Sequence, residues 1–123
     1  MKPTILYVDD EDVNLFLFSH TMDEHYNVIT AISGPEGLKV LSENKEIVAV
    51  ISDMRMPHMD GVEFIEKAKA EFKDLFYFIL TGYSFNEQIE KALESGLINN
   101  SFTKPFDVDE LSGAINQLVL DKG

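Results

Sequence analysis

Residues 5–11 read Ile5-Leu6-Tyr7-Val8-Asp9-Asp10-Glu11. A short unbroken apolar run closed by acids describes a strand buried on both faces, as in parallel sheets. The signature recurs at residues 27–31, 47–52 and 76–80, and more weakly at 101–103. Segments of helical length separate these runs, at residues 12–23, 35–44, 61–72, 86–95 and 107–120. Their ends carry local chemistry. Ser33 precedes a Pro in the first turn and stands three residues before Glu36, a capping arrangement. Asp107 and Glu110 repeat it ahead of the stripe Val108, Leu111, Ile115 and Leu118, and Gly96 suits a left-handed helix end. Five strands alternating with five helices predict an α/β fold, a parallel sheet with right-handed crossovers and helices on both faces.

The chain has 123 residues and a mass of 13.9 kDa, which fits one domain able to bury about two-thirds of its surface. Ten basic against 22 acidic residues give a net charge of −12. Such a surface repels polyphosphate, which argues against direct binding of nucleic acid or of an anionic membrane. It suits a divalent cation, or a partner with a basic patch. The absence of Cys removes disulfides, thiolate nucleophiles and Cys-type zinc sites, and agrees with a reducing, cytoplasmic location. The opening Met1-Lys2-Pro3-Thr4 leads straight into the first strand, and the apolar stretch is too short for a signal peptide or a membrane span.

Sheets of this kind place ligands beyond the carboxyl ends of their strands. Asp9, Asp10, Glu11 and Asp12 follow the first strand, and Asp53 the third. Thr81 follows the fourth, and Lys104 with Pro105 the fifth. Each alone has an ordinary explanation: acids favour helix N-termini, a Thr can simply end a strand, and a Lys before Pro is commonly a surface charge. Together they bring carboxylates, a hydroxyl and an ammonium to one rim. Oxygen ligands with retained waters suit Mg²⁺, with Mn²⁺ as a substitute. A cation held by Asp10 and Asp53 beside Lys104 would neutralise a phosphoryl group, and a carboxylate can be the nucleophile that takes it.

At these residues the sequence resembles the receiver domains of two-component response regulators. The carrying motifs are Ile5 to Glu11, Asp53-Met54-Arg55-Met56-Pro57-His58-Met59-Asp60-Gly61, Leu80-Thr81-Gly82 and Thr103-Lys104-Pro105-Phe106. Four segments agree in order and spacing across nearly the whole chain. The resemblance implies a flavodoxin-like (βα)5 three-layer sandwich with strand order 2-1-3-4-5. It implies Asp53 as phosphoacceptor, and Mg²⁺ on Asp10, Asp53 and the backbone carbonyl of Arg55, with Asp9 acting through a water. Thr81 and Lys104 would bind phosphoryl oxygens. A cis peptide at Lys104–Pro105 would aim the ammonium inward, and Met56-Pro57 with Asp60-Gly61 would shape the covering loop. The partner implied is a sensor histidine kinase or a histidine phosphotransfer domain. The chain would catalyse only its own phosphorylation and dephosphorylation, as a single receiver domain, residues 1–123, without an output domain.

The match has departures. Receivers usually carry Tyr or Phe three residues before the Lys, where this chain has Ser101, with Phe102 one residue later. The stretch from Gly96 to Lys104 is also one residue longer than usual. Either Ser101 replaces the switch aromatic or a bulge re-aims Phe102. With Ser101 too small to signal, the response is expected at Gly82-Tyr83-Ser84 and the next helix, with Tyr83 or Phe102 supplying bulk. The first helix has too many apolar residues for one face. Periodicity turns Val13, Phe16 and Leu17 inward; the family register turns Asn14, Leu17, Phe18 and Thr21 inward and exposes Leu15 and Phe16 as a docking face. His20, His25 and His58 match no metal-ligand spacing and read as fillers. An aspartyl-phosphate phosphatase would need a second Asp where Arg55 stands. A flavin- or nucleotide-binding protein would need a phosphate-cradling loop where Asp9-Asp10-Glu11 stands. A receiver that binds without phosphorylation would not need the intact acids, Thr81 and Lys104.

Overall fold

The computed structural model describes residues 2–82 and 86–122. Its elements, in chain order, are β1 (Thr4–Val8), α1 (Asp12–Met22), β2 (Asn27–Ala31), α2 (Gly34–Glu43), β3 (Ile47–Asp53), α3 (Gly61–Glu71), β4 (Phe76–Thr81), α4 (Glu87–Glu94), β5 (Asn100–Thr103) and α5 (Val108–Lys122). Every expected element is present, and no end moves by more than two residues. All strand pairs are parallel, in the order β2-β1-β3-β4-β5. The three inner strands are the near-continuous apolar runs, while the edges β2 and β5 keep half-exposed residues. That is why β5 gave the weakest signal in the sequence.

Two cores follow from strand alternation. Leu6, Val8, Val50, Tyr77 and Ile79 face α2, α3 and α4. Ile5, Tyr7, Ala49, Ile51, Phe78, Leu80 and Phe102 face α1 and α5. The helix starts are capped as expected: Ser33 Oγ accepts from Glu36 N at 3.2 Å and Asp107 Oδ1 from Glu110 N at 3.0 Å. Asp60 and Glu63 add a reciprocal box at α3. Gly96, beyond the end of α4, has φ +81°, a conformation that an L side chain would strain. Among the described residues no helix is long and apolar enough to cross a membrane.

Helix α1 corrects both expected registers. Val13, Phe16 and Leu17, which periodicity turned inward, are 68%, 67% and 52% exposed. The family register was right for Asn14 and Phe18 and wrong for Leu17 and Thr21, which are exposed, and for Leu15, which is half-buried against the core. With apolar residues all round, the helix pattern has no preferred direction. The choice is made by the sheet, where the Phe18 ring stacks on Tyr7 at 4.0 Å and 9° and Met22 fills the space beyond.

Strand β5 settles the second open point. Its register with β4 is unbroken, Ser101 opposite Ile79 and Phe102 opposite Leu80, so no bulge re-aims Phe102. Ser101 shares the α4 side of the sheet with Ile79, and Phe102 packs near Phe78 on the α1/α5 side, centroids 6.2 Å apart. In the preceding turn Ile98 is buried and Asn99 exchanges hydrogen bonds with the Tyr77 backbone. Tyr83 lies outside the described residues.

Candidate functional site

The carboxyl ends of β1 and β3 adjoin, because β1 pairs β3 up to Val8 opposite Ser52. Asp9 and Asp10 leave β1 there. Asp53 and Thr81 are the last residues of β3 and β4 rather than the first beyond them, since the ladders extend to Asp53–Leu80 and Thr81–Thr103. Carboxylate oxygens of Asp9, Asp10 and Asp53 lie within 4.8 Å of one another, in an arrangement that could hold a metal ion. None of the three histidines joins this group; all three are exposed. Lys104 comes over the group from the β5–α5 loop, its Nζ 3.1 Å from Asp9 Oδ2 and 3.3 Å from Asp53 Oδ1. Its backbone N–H donates to Thr81 O at 2.7 Å, and the Lys104–Pro105 peptide is cis.

The three acids have different surroundings. Asp9 is fully buried and saturated. Its Oδ2 accepts from the Tyr7 hydroxyl at 2.7 Å and from Lys104, while Oδ1 accepts from Glu11 N at 3.0 Å and Asn14 Nδ2 at 3.5 Å. Asp53 is 9% exposed; among the described residues both its donors, Met54 N at 3.0 Å and Lys104, fall on Oδ1. Asp10 is half-buried, and among the described residues no donor meets it. It lines a cleft of about 430 Å³ together with Arg55, Met56 and Asp60. The acid with available oxygens therefore opens on the side where the Arg55 backbone passes. Oxygen donors, a half-open cleft and excess negative charge fit Mg²⁺.

Electrostatics follows from this crowding. Burial, then the charge of Asp9, push the Asp53 carboxyl above its ordinary value; Lys104 and the Met54 N–H only partly offset them. Burial works against the Lys104 ammonium, yet the hydrogen bond to Asp9 and the charge of Asp53 outweigh it and hold the group above its ordinary value. Burial and the Asp9 carboxylate push the Tyr7 phenol far up, so it stays a donor. Thr81 is 4% exposed at the end of β4. Gly61 is required where α3 starts, because a Cβ there would collide with the Asp53 carbonyl.

The sequence missed two groups. Tyr7 reads as one more apolar strand residue, although strand alternation already puts it on the same face as Asp9, two residues on. Asn14 reads only as a helix residue facing inward; in the structure its amide bridges Asp9 and Glu11. His58 reads as a filler and is exposed, but its φ of 69° places it in the left-handed region within the covering loop.

Comparison with known proteins agrees with this geometry. The family model for the response regulator receiver domain matches residues 5–116. Sporulation initiation phosphotransferase F of Bacillus subtilis is 30% identical over 118 residues, covering 95% of this chain and 94% of its own length. The transcriptional regulatory protein GlrR of Escherichia coli is 36% identical over 117 residues, but the chain spans only 26% of that protein, and 25% of the hydrogenase transcriptional regulatory protein HoxA of Cupriavidus necator. Among solved structures, the response regulator protein TrrA of Thermotoga maritima, in complex with Mg²⁺ and beryllofluoride, superimposes with TM-score 0.82 at 32% identity, covering 96% of this chain and 99% of that one. Its strand order, its acid cluster under a lysine and a family match spanning most of its length lead to one conclusion: this chain belongs to the response regulator receiver domain family.

Proposed function

We propose that Asp53 is the phosphoacceptor of this receiver. The observation that carries the reading is the Lys104 ammonium, 3.3 Å from Asp53 Oδ1, above three carboxylates gathered within 4.8 Å. A carboxylate oxygen of Asp53 attacks the phosphorus of a phosphohistidine; the P–O bond forms as the P–N bond breaks, and the imidazole leaves with the electron pair. Asp10, Asp53 and the backbone carbonyl of Arg55 would hold Mg²⁺, or Mn²⁺ in its place, with Asp9 acting through a water. When bound, the ion supplies positive charge to the transferring phosphoryl oxygens. Lys104 places its ammonium against those oxygens, and Thr81 supplies a hydroxyl from the adjoining strand end.

Receivers are signalling modules without a conventional catalytic role, and this one catalyses only its own phosphorylation and dephosphorylation, as a cytoplasmic receiver switching protein contacts. Its donor is a sensor histidine kinase or a histidine phosphotransfer domain. Leu17 supports that reading: it is 52% exposed and lines an apolar groove of about 460 Å³ that reaches Lys104 and Phe106, and Phe16, on the same helix, is 67% exposed. A partner helix seated there would bring its phosphohistidine to the rim.

Intact mass after exposure to Mg²⁺ and a small acyl phosphate tests the assignment. One added phosphoryl group is expected, prevented by prior chelation and absent in Asp53→Asn. Labelling of Asp53→Asn at the wild-type rate would overturn it.

A further inference from the structure

Two donors share one oxygen at the bottom of the site: Asp9 Oδ2 accepts from Tyr7 at 2.7 Å and from Lys104 at 3.1 Å. Asp9 is fully buried, so bulk water does not replace either donor, and the water through which Asp9 would serve Mg²⁺ is there before and after the phosphoryl group arrives. If Asp53 takes a phosphoryl group, the Lys104 ammonium serves the new oxygens, and its contact with Asp9 is weakened or given up. A buried carboxylate oxygen left without a donor is strongly unfavourable. Tyr7 cannot follow the lysine. Its ring is buried, lies in the central strand β1, and is clamped against Phe18 at 4.0 Å and nearly parallel.

We propose that Tyr7 is a positioning residue that holds Asp9 in place and keeps its Oδ2 satisfied while Lys104 passes to the phosphoryl group. The inference rests on the phosphoacceptor reading of Asp53 and adds to it a fixed second donor beneath the mobile one. Glu11 N and Asn14 meet the other oxygen of Asp9, at 3.0 and 3.5 Å, so neither can replace the phenol.

The test is Tyr7→Phe, which keeps the ring and its stack on Phe18. The affinity for Mg²⁺ alone is measured by calorimetry, and the affinity for beryllofluoride at saturating Mg²⁺ by spectral titration, both also in a Lys104→Met background. Removing the hydroxyl should weaken beryllofluoride binding about fivefold, the scale of one hydrogen bond, and change Mg²⁺ affinity by less than about twofold. In the Lys104→Met background, where no ammonium is transferred, removing the hydroxyl should make no further difference to beryllofluoride. The proposal falls if both affinities drop together, if neither changes, or if the loss persists without Lys104. A wild-type protein that binds Mg²⁺ but no beryllofluoride would instead overturn the phosphoacceptor reading, and this inference with it.

Discussion

At the scale of single residues, the site depends on how unequally three acids are treated. Asp9 is saturated and buried, Asp10 is open to the cleft, and Asp53 lies between them under Lys104. Removing charge from each should therefore have different effects. Asp9→Asn should weaken Mg²⁺ binding about tenfold, as loss of a supporting partner does, and Asp10→Asn should weaken it further, because the proposed direct ligand loses its charge. Calorimetric titration separates the two, and equal losses would contradict the division of roles. Asp53 also makes stability depend on pH. Its carboxyl is raised by burial and by Asp9, so the folded state favours the protonated form. The stability this contributes is present below the ordinary carboxylate range and is lost as pH rises through the raised value. Asp53→Asn, uncharged throughout, should melt above the wild type at about pH 7 without metal and lose that advantage near about pH 3. Added Mg²⁺ should narrow the gap at neutral pH, because only the wild type retains all three carboxylates. That Asp9, Asp10, Asp53 and Lys104 come together was legible in the sequence because strand ends in a parallel sheet converge. The role of Tyr7 was not, because a buried phenol and a buried aliphatic residue look alike in an apolar run.

At the scale of elements, strands and caps were legible and the facing of α1 was not. A strand run such as residues 76–80 has two buried faces, so apolar character alone identifies it. Ser33, Asp107 and Gly96 announce helix ends through side-chain and backbone preferences that act within a few residues. The facing of α1 is settled only by what the sheet presents, here the Tyr7 ring beneath Phe18. Phe18→Ala should cost about 3–5 kcal/mol, as for other large buried aromatics, and Phe16→Ser and Leu17→Ser about 0.5 kcal/mol or less, as for exposed positions. Denaturant melts check both. The two Ser variants should slow phosphoryl transfer from a cognate kinase while leaving phosphorylation by a small acyl phosphate unchanged. Equal slowing by both donors would remove the docking role. Between the two readings of Ser101 and Phe102, the unbroken β4–β5 register decides against a bulge.

At the scale of the whole molecule, the fold brings the site to the rim and leaves the small Ser101 on the α4 side of β5. Phe102 is committed to the opposite core, so it cannot fill space on that side. The response should run from Thr81 into the segment that follows β4. Amide exchange with beryllofluoride bound should show slowed exchange at Gly82 and the start of α4, reduced in Thr81→Ala and retained in Ser101→Ala. The reverse pattern would contradict the coupling. Beneath all of this is the claim that Asp53 carries the phosphoryl group. An acyl phosphate can be reduced by borohydride to the corresponding alcohol, which turns a phosphorylated Asp into homoserine. Peptide mass spectrometry after phosphorylation and reduction should find homoserine at position 53 alone. Homoserine at position 9 or 10, or a phosphoryl group retained on His20, His25 or His58, would contradict the account.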